Sequence, residues 1–472
     1  MKKAILISLF LTQYFFSYAQ IDTVVIKGIV RGKVKEVNIQ MLMNNPINDD
    51  NESFSAPVDD NGEFVMKIPV TRLSRGRIVA GRYSHDICLL QSDDLFVEIE
   101  NDTIKYSGKG AGKNNFLYFL EISGYNNSKY YAEANDVKLS PKEFAVKMAE
   151  FRDKRIELAN KYKLEQTFKA YFLAENSSIY VSLMQDYPER YAHFNNVRVD
   201  SLEIPAEYHK YWQLKNIVND QYVVSPTYIE GFGKYMYKMR EKIKNQLTTN
   251  IEPFNPSHSL MIDSLKGKTQ EYVMAKFICS GLSMSNHIDT IIYNKFREIA
   301  KDLLPIEVVT KAFDKYNQKQ SLLGQPLNNA FVETQVEDTL GHVFSFDEMI
   351  EKYKGKVVYL DIWSLGCGPC RVSMSASKKL KEKLADKPIA FVYLTLDRKN
   401  KKLWSKVVEV SLSNDNHYRL VKGFDAEFLR YMEISWVPCY MILDKEGRLM
   451  DFSAPRPEEQ RLEQKLLELA KK

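Results

Sequence analysis

The spacing of apolar positions divides the chain into three stretches. From Ile21 to about Gly112, short apolar runs are broken by turn residues, which indicates strands. From about Lys113 to Leu323, apolar residues recur at spacings typical of one helix face. After residue 325, strand-like and helix-like runs alternate. We therefore expect a multidomain protein with an N-terminal all-β domain, a central all-α domain and a C-terminal α/β domain.

The first stretch reads as a β-sandwich or open barrel. Asp59-Asp60-Asn61-Gly62, between Ser53-Phe54 and Glu63-Phe64-Val65-Met66, predicts a hairpin. The glycines within residues 104–112 mark the predicted end of this domain. Further strands are predicted at Val24 to Val30, Val37 to Met43, Arg77 to Ala80, Ile87 to Leu90 and Leu95 to Ile99.

The second stretch is rich in Tyr and Phe at helical spacing, which favours core packing over a binding groove. Ser140-Pro141 fits the start of a helix. That helix places Phe144, Met148, Phe151, Leu158 and Tyr162 on one face. Further helices are predicted at Phe168 to Met184, Tyr208 to Val218, Tyr228 to Leu247, Tyr272 to Met284, Tyr293 to Leu304 and Val308 to Tyr316.

The third stretch follows a linker at residues 323–329. Its order of strands and helices predicts a mixed α/β sheet. The predicted strands are Val357 to Ile362, Ile389 to Leu394, Tyr440 to Leu443 and Leu449 to Phe452. The predicted helices are Cys370 to Leu384, Leu403 to Val410, Ala426 to Met432 and Pro457 to Ala470.

The first residues resemble an export signal. Lys2 and Lys3 precede an apolar run from Ala4 to Phe16, and Ser17-Tyr18-Ala19 offers a cleavage site. The apolar run is short for a membrane span, and no later segment is long and apolar enough. A lipoprotein signal would need a cysteine at the cleavage site. We predict a signal peptide over 1–19 and a protein of the periplasm that is neither a lipoprotein nor an integral membrane protein.

Composition narrows the class further. Removing Lys2 and Lys3 from 66 basic against 61 acidic residues leaves a net charge of about +3, which argues against nucleic acid as a partner. Five cysteines in 472 residues are too few for a structural disulfide framework. Cys88 and Cys279 are best explained as small buried hydrophobic residues.

Cys367-Gly368-Pro369-Cys370 is the motif that carries chemistry. Two cysteines separated by two residues can close a small disulfide ring, and this pair follows an apolar strand and precedes a helix. The helix start would stabilise the Cys367 thiolate, and Pro369 suits the first turn. Cys367 is therefore the expected attacking thiol, and Cys370, one turn further in, the resolving one.

Asp361, in the preceding strand, is expected to point into low-dielectric surroundings near the cysteine pair. Burial raises the pKa of a carboxyl group, which would let Asp361 exchange a proton with Cys370. The alternative is an aspartate that points to water. Val437-Pro438 precedes a later strand, and a cis bond there would let the Val437 backbone pair with an extended substrate segment.

These residues resemble the thioredoxin superfamily, and within it the exported TlpA/ResA-like thiol-disulfide oxidoreductases. The resemblance covers residues 325–472 and includes the run from Gly355 to Trp363, the cysteine motif, Val437-Pro438 and Asp444-Lys445-Glu446-Gly447. It implies a cis Pro438 and a Trp363 that packs behind the site. The expected catalytic residues are Cys367, Cys370 and Asp361, and the expected substrate-binding residues are Val437, Pro438, Trp363, Gly368 and Pro369.

The N-terminal β region resembles a second known domain. Residues 60–64, 95–99 and 108–110, ahead of residues 114–117, resemble the N-terminal β domain of uncharacterised function that precedes thioredoxin-like domains in exported Bacteroidetes proteins. The predicted boundaries are 20–112 for the β domain, 113–324 for the helical domain and 325–472 for the thioredoxin-like domain.

Two positions depart from the usual family pattern. Gly366 stands before the first cysteine where an aromatic residue is common, which removes a flat contact surface. Cys439 follows Pro438 where Thr is frequent. Cys439 is either a third redox participant or, more simply, a buried residue at the start of a strand.

Other uses of the cysteine pair fit less well. A structural zinc site needs four ligands, and no second CxxC or HxxxH lies at suitable spacing, so no metal or other cofactor is expected. The peroxiredoxin motif would need a proline where Leu360 stands, although Ser364 matches its second requirement.

The resulting hypothesis is an exported disulfide reductase. It would act on disulfide-bonded client proteins through a mixed disulfide, and a membrane electron-donor thiol protein would restore the dithiol. The Gly-Pro pair favours reduction by resemblance to thioredoxin, with a disulfide oxidase or isomerase as the nearest alternative. The other hypothesis is an envelope binding or docking module whose thioredoxin-like domain has little catalytic activity.

Overall fold

The structure, a computed structural model, describes residues 23–48, 51–246, 259–285, 288–397, 404, 408, 416–432, 434 and 436–471. The predicted signal peptide, residues 1–19, lies outside these residues, as does most of the helix predicted over 403–410. The chain forms two compact units, and each is described by itself. The first contains Met1–Lys276 and Ile291–Val308, and the second contains Phe277–Thr290 and Val309–Lys472.

The first unit begins with a β-sandwich. In the described part of the chain, its two four-stranded sheets have the orders β4-β1-β7-β8 and β3-β2-β5-β6. Buried side chains from both sheets form one apolar core. The strands are β1 (Thr23–Arg31), β2 (Glu36–Met43), β3 (Asn51–Pro57), β4 (Glu63–Pro69), β5 (Ser74–Ala80), β6 (Tyr83–Leu89), β7 (Asp94–Glu100) and β8 (Thr103–Lys109).

The hairpin predicted around residues 59–62 is wrong in its pairing. The turn itself forms, because the Asp59 carboxylate accepts hydrogen bonds from the amides of Asn61 and Glu63, and Gly62 has a φ of 82°. However, β3 pairs with β2 and β4 pairs with β1. The turn therefore carries the chain from one sheet to the other, since a local turn signal specifies a reversal but not a strand partner.

The last strand, β8, was not predicted. It pairs antiparallel with β7 across a tight turn at Asn101-Asp102, whose φ angles are 49° and 62°. Two successive left-handed residues form the turn that suits a two-residue hairpin. The alternation of polar and apolar residues over 103–109 is short and includes Gly108, so the sequence did not indicate this strand.

Helices follow the sandwich. As predicted, Ser140 starts a helix, and it forms a capping box with Glu143. The helices are α1 (Ala111–Ile122), α2 (Asn127–Ala134), α3 (Pro141–Lys161), α4 (Gln166–Phe194), α5 (Ala206–Lys210), α6 (Leu214–Ile217), α7 (Pro226–Gln246), α8 (Gly267–Ser280), α9 (Thr290–Ile299) and α10 (Leu303–Gln320). Shorter 3₁₀ turns cover Val199–Ser201 and Asp220–Val224, and π turns cover Ser259–Ser264 and Gly281–Ser285.

The second unit contains a seven-stranded sheet, counted over the described residues, with the order β10-β9-β13-β12-β11-β14-β15. Its strands are β9 (Gln335–Asp338), β10 (Val343–Ser345), β11 (Val357–Trp363), β12 (Ile389–Thr395), β13 (His417–Leu420), β14 (Cys439–Leu443) and β15 (Leu449–Asp451). Its helices are α11 (Asn329–Val332), α12 (Phe346–Glu351), α13 (Gly368–Lys383), α14 (Glu427–Tyr431) and α15 (Gln460–Lys471), with a 3₁₀ turn at Gly423–Asp425.

Strand β11 is the central strand of this sheet. It pairs parallel with β12 and antiparallel with β14, and all seven of its residues are buried. Val358, Leu360 and Ile362 face one apolar cluster, whereas Tyr359 and Trp363 face another cluster that contains α13 and α15 side chains. The chain passes from the end of β11 directly into the loop that precedes α13.

The predicted fold class, with β, helical and thioredoxin-like α/β regions, is confirmed. The boundaries at residues 112 and 324 stay predictions. Within the described residues, no helix combines the length and apolar character that a membrane span requires.

Lys113 provides a test of how the sandwich and α1 are joined. Its ammonium group, fully buried, lies 2.8 Å from the Asp93 carboxylate and 3.3 Å from that of Glu165. Lys113→Ala leaves the buried Asp93 charge unpaired, so urea denaturation should show a loss of about 3–5 kcal/mol. Lys109→Ala, at an exposed position, serves as the control. Equal losses in both variants would contradict the importance of the buried pair.

Candidate active site

The two cysteines of the motif lie at the start of α13. Cys367 is the residue that caps the helix, and Cys370 lies in its first turn. The sulfurs are bonded to each other, with the Cα atoms 5.3 Å apart. The backbone N–H of Cys370 donates to the Cys367 sulfur over 3.1 Å. Cys367 is 9% exposed and Cys370 is 1% exposed, so solvent reaches the first sulfur in preference to the second.

This arrangement suits a thiolate at Cys367. In a capped helix, the first backbone N–H groups have no partner within the helix, and the capping side chain accepts one of them. Here the accepting atom is the sulfur of Cys367. A negative charge on that sulfur also interacts favourably with the positive end of the helix dipole, which lowers a thiol pKa.

Asp361 lies on β11, two residues before Trp363. Strand alternation places its side chain on the face occupied by Tyr359, Trp363 and the cysteine pair. The side chain is buried, and no group in the described part of the chain hydrogen-bonds to either carboxylate oxygen. Burial, assisted by the negative charge of Glu458, raises the pKa of Asp361 to about 8. The alternative of an aspartate that points to water is therefore wrong.

Three tyrosines share this face with Asp361. Tyr393 on β12 and Tyr440 on β14 lie directly opposite Asp361 in the strand register, and Tyr359 precedes it on β11. Burial raises the pKa of all three phenols, so they stay neutral. The Tyr359 hydroxyl donates to the Pro455 carbonyl over 2.9 Å, and the Tyr393 hydroxyl lies 2.9 Å from that of Ser377.

The residues predicted for substrate binding fall into two groups. Gly368 and the exposed Pro369 are the first two residues of α13, and Trp363 is buried in the cluster that contains both cysteines. The Val437-Pro438 bond is cis, and the half-buried Val437 lies two residues before β14. The role of these residues in binding a substrate stays a prediction.

Cys439 faces away from the cysteine pair. It lies opposite Ile362 in the strand register and belongs to the apolar cluster on the other side of the sheet. Burial raises the pKa of its thiol to about 12. The structure favours the interpretation of Cys439 as a core residue over a third redox participant. Cys88 and Cys279 are buried as well.

Asp397 positions the loop before Cys367, and the sequence analysis missed it. Its carboxylate accepts hydrogen bonds from the backbone N–H of Leu365, over 2.8 Å, and from the Thr395 hydroxyl, over 2.6 Å. Because β11 and β12 are parallel, their carboxyl ends meet at one edge of the sheet. An aspartate three residues after the end of the strand predicted over Ile389 to Leu394 was the available signal.

Comparison with known proteins identifies similarity in the C-terminal part of the chain. A family model described as thioredoxin-like matches residues 355–449. Thioredoxin-like protein YneN of Bacillus subtilis (strain 168) is 30% identical over 121 residues, which are 25% of this chain and 67% of that protein. The chain therefore belongs to the thioredoxin-like family through its C-terminal part.

Solved structures of other proteins are also similar to 29% of this chain. A putative thiol-disulfide oxidoreductase from Bacteroides vulgatus is 33% identical and covers 29% of this chain and 84% of its own, with a TM-score of 0.25. A putative thiol:disulfide interchange protein DsbE from Chlorobium tepidum is 23% identical and covers 29% of this chain and 92% of its own, with a TM-score of 0.24.

The raised pKa of Asp361 predicts a stability change with a definite sign. The folded protein retains a proton that the unfolded chain releases above its ordinary carboxyl pKa, so the folded state loses stability as pH rises towards about 8. Asp361→Asn removes this penalty. Its stability relative to the natural protein should grow by up to about 1.4 kcal/mol per pH unit over that interval.

Denaturant unfolding of the oxidised protein at several pH values measures this difference. Asp386→Asn, at the protein surface, provides the control and should show no such gain. An Asp361→Asn difference that does not change between acidic pH and pH 8 would contradict the buried, protonated carboxyl.

Proposed function

We propose that this protein is an exported thiol-disulfide oxidoreductase that reduces disulfide bonds in client proteins. The observation that carries the proposal is the 3.1 Å hydrogen bond from the Cys370 amide to the Cys367 sulfur at the start of α13. After reduction of the disulfide, the same geometry would stabilise a partly accessible Cys367 thiolate, and Cys370 would supply the second thiol. Membership of the thioredoxin-like family supports the same chemistry.

Reduction proceeds in two exchange steps. The Cys367 thiolate attacks one sulfur of a client disulfide, a mixed disulfide forms, and the other client sulfur leaves as a thiolate that takes a proton. Cys370 then gives its proton to Asp361 and attacks the Cys367 sulfur. The Cys367–Cys370 disulfide forms, and the second client sulfur leaves. Two electrons have passed from the dithiol to the client.

Asp361 suits the proton transfer of the second step. A carboxyl group with a pKa of about 8 exchanges protons readily near neutral pH, whereas an ordinary aspartate is almost always ionised there. Cys370 is buried beside the same apolar cluster, so bulk water has little access to its thiol. A nearby protein base is therefore needed.

The proposed client is a disulfide-bonded protein, and the proposed electron donor is a thiol protein. The half-buried Gly368 and the exposed Pro369 follow the attacking cysteine directly in the chain, and the backbone of Val437 would pair with an extended client segment. A membrane thiol protein would return the dithiol. The signal-like residues 1–19 support the proposal of a periplasmic location, and the Gly-Pro pair favours the reducing direction over oxidation or isomerisation.

Insulin reduction by dithiothreitol tests the activity. The full chain should accelerate the reaction, and Cys367→Ser should return the rate to that of dithiothreitol alone because the nucleophile is lost. Cys439→Ala, on the other side of the sheet, is the matched control and should remain active. No acceleration by the natural protein, and no redox-dependent change in its thiol alkylation, would favour the docking module instead.

Trapping in the native envelope tests the client class. Cys370→Ala removes the resolving thiol, so the mixed disulfide at Cys367 should accumulate and survive non-reducing electrophoresis. The Cys367→Ser/Cys370→Ala variant is the control and should trap nothing. Absence of any adduct in the single variant, with the protein folded and reduced, would contradict the assignment of Cys367 and Cys370 as attacking and resolving thiols.

A further inference from the structure

A cavity of about 160 Å³ lies in the first unit, among α4, α7 and the segment that leads from α6 into the 3₁₀ turn at Asp220–Val224. A cavity of about 150 Å³ is large enough to hold one six-membered ring. The exposed Asn216 forms part of the wall, so the cavity is open to solvent there. A small ring-shaped molecule can therefore enter it.

The wall that α4 contributes is polar, although this helix packs against other helices. Ser178, Val181, Ser182 and Gln185 line the cavity, and their spacing places them on one face of α4. A helix face that packs against neighbouring elements is ordinarily apolar. Here three of the four side chains carry a hydroxyl or an amide group. This face of α4 is therefore suited to hydrogen bonding with a molecule in the cavity.

Gln185 has a buried oxygen to which no described residue donates a hydrogen bond. The residue is 5% exposed, and its Nε2 atom donates to the carbonyl of Tyr211 over 2.7 Å. Tyr211 is not part of the cavity wall, so Oε1 is the polar atom of Gln185 that is available to a bound molecule. A buried acceptor without a donor destabilises the protein, and a ligand with an O–H or N–H group removes that cost.

The hydroxyl groups of the wall define the complementary ligand. Ser178 donates to a backbone carbonyl one turn earlier on α4, over 2.7 Å, and Thr227 donates to a carboxylate of α4 over 2.8 Å. Both hydroxyls have thus used their hydrogen and can accept from a ligand. Ser182 accepts from the ammonium group of Lys234 over 2.8 Å, so its own O–H can donate to a ligand. The wall therefore offers both acceptors and a donor.

Among the residues that the structure describes, the cavity wall contains no charged side chain. Lys234 contacts Ser182 from outside the wall, and the carboxylate of Asp186 balances its charge. Val181 and Phe232 add apolar surface to the wall. An ion would lose hydration in this cavity without gaining an opposite charge, whereas a neutral molecule with both hydroxyl and C–H groups matches the whole wall.

We propose that this cavity binds one neutral sugar ring, either a free monosaccharide or the end of a glycan chain. Each hydroxyl of such a ring donates one hydrogen bond and accepts others, and its C–H groups pack on apolar side chains. Oε1 of Gln185 accepts from one ring hydroxyl, and Ser178, Ser182 and Thr227 bind the others. The site is independent of the dithiol chemistry and of the function proposed for it.

Saturation-transfer difference NMR of the full chain with millimolar sugars tests the site. The neutral probes are glucose, galactose, mannose and N-acetylglucosamine. The uronates of the first three present the same ring with a carboxylate, and cyclohexanol presents a six-membered ring with one hydroxyl. At least one neutral sugar should bind, and the uronates and cyclohexanol should not. Methyl glycosides of the sugars that bind distinguish the sources, because a glycan end tolerates the methyl group and a site for free sugar does not.

Two glycines of α7 provide a matched pair of variants. Gly231 lines the cavity and Gly233 does not, and a Cβ atom added to either one meets no neighbouring atom within 4 Å. Gly231→Leu should fill the cavity and abolish binding, whereas Gly233→Leu should leave binding unchanged. Both variants should remain folded in thermal unfolding, since leucine favours a helix more than glycine does. Gln185→Met, which removes the acceptor oxygen, should weaken binding roughly tenfold.

Four outcomes would overturn the inference. No binding of any neutral sugar would leave the cavity to solvent, and binding that survives Gly231→Leu would place the sugar elsewhere. Equal loss in Gly231→Leu and Gly233→Leu would make the loss an effect on the helix and not on the cavity. A uronate that binds as well as its neutral sugar would contradict selection for an uncharged ring. None of these measurements involves the cysteines, so such a failure is distinct from failure of the proposed function.

Discussion

The hydrogen bond from the Cys370 amide to the Cys367 sulfur is the interaction on which the site depends. It exists because Cys367 caps α13, and α13 starts where it does because β11 ends at Trp363 and a short loop follows. The loop is held in turn by Asp397 at the end of β12. The central strands of the sheet thus determine which sulfur faces solvent and which backbone N–H group donates to it.

The same central strand imposes the cost of the site. A carboxyl group in the middle of a fully buried strand loses its hydration, and no neighbour in the described chain compensates either oxygen. This penalty is reduced because the pKa of Asp361 is raised, so that the carboxyl group stays protonated at pH values well above the ordinary carboxyl pKa. Under the proposed function, a destabilising carboxyl group on the same face as the cysteine pair serves proton transfer, because an apolar side chain would fit the surroundings more favourably.

Much of this site could be predicted from the sequence. The cysteine pair, the apolar strand before it and the helix after it are contiguous, so local patterns specify their order, and the burial of Asp361 followed from its apolar neighbours. Long-range relations could not be predicted. The partner of β4 is β1 and not β3, and Glu458 meets Ser373 across 85 positions of sequence. The face occupied by Cys439 likewise depends on the register between β11 and β14.

Titration of the reduced protein by ultraviolet thiolate absorbance tests the central claim most directly. The account predicts a thiolate that forms with a midpoint below the value of about 8.5 for a free cysteine, persists in Cys370→Ser and disappears in Cys367→Ser. A first thiolate that forms only at or above that value, or one that survives the loss of Cys367, would contradict a reactive sulfur stabilised by the start of α13.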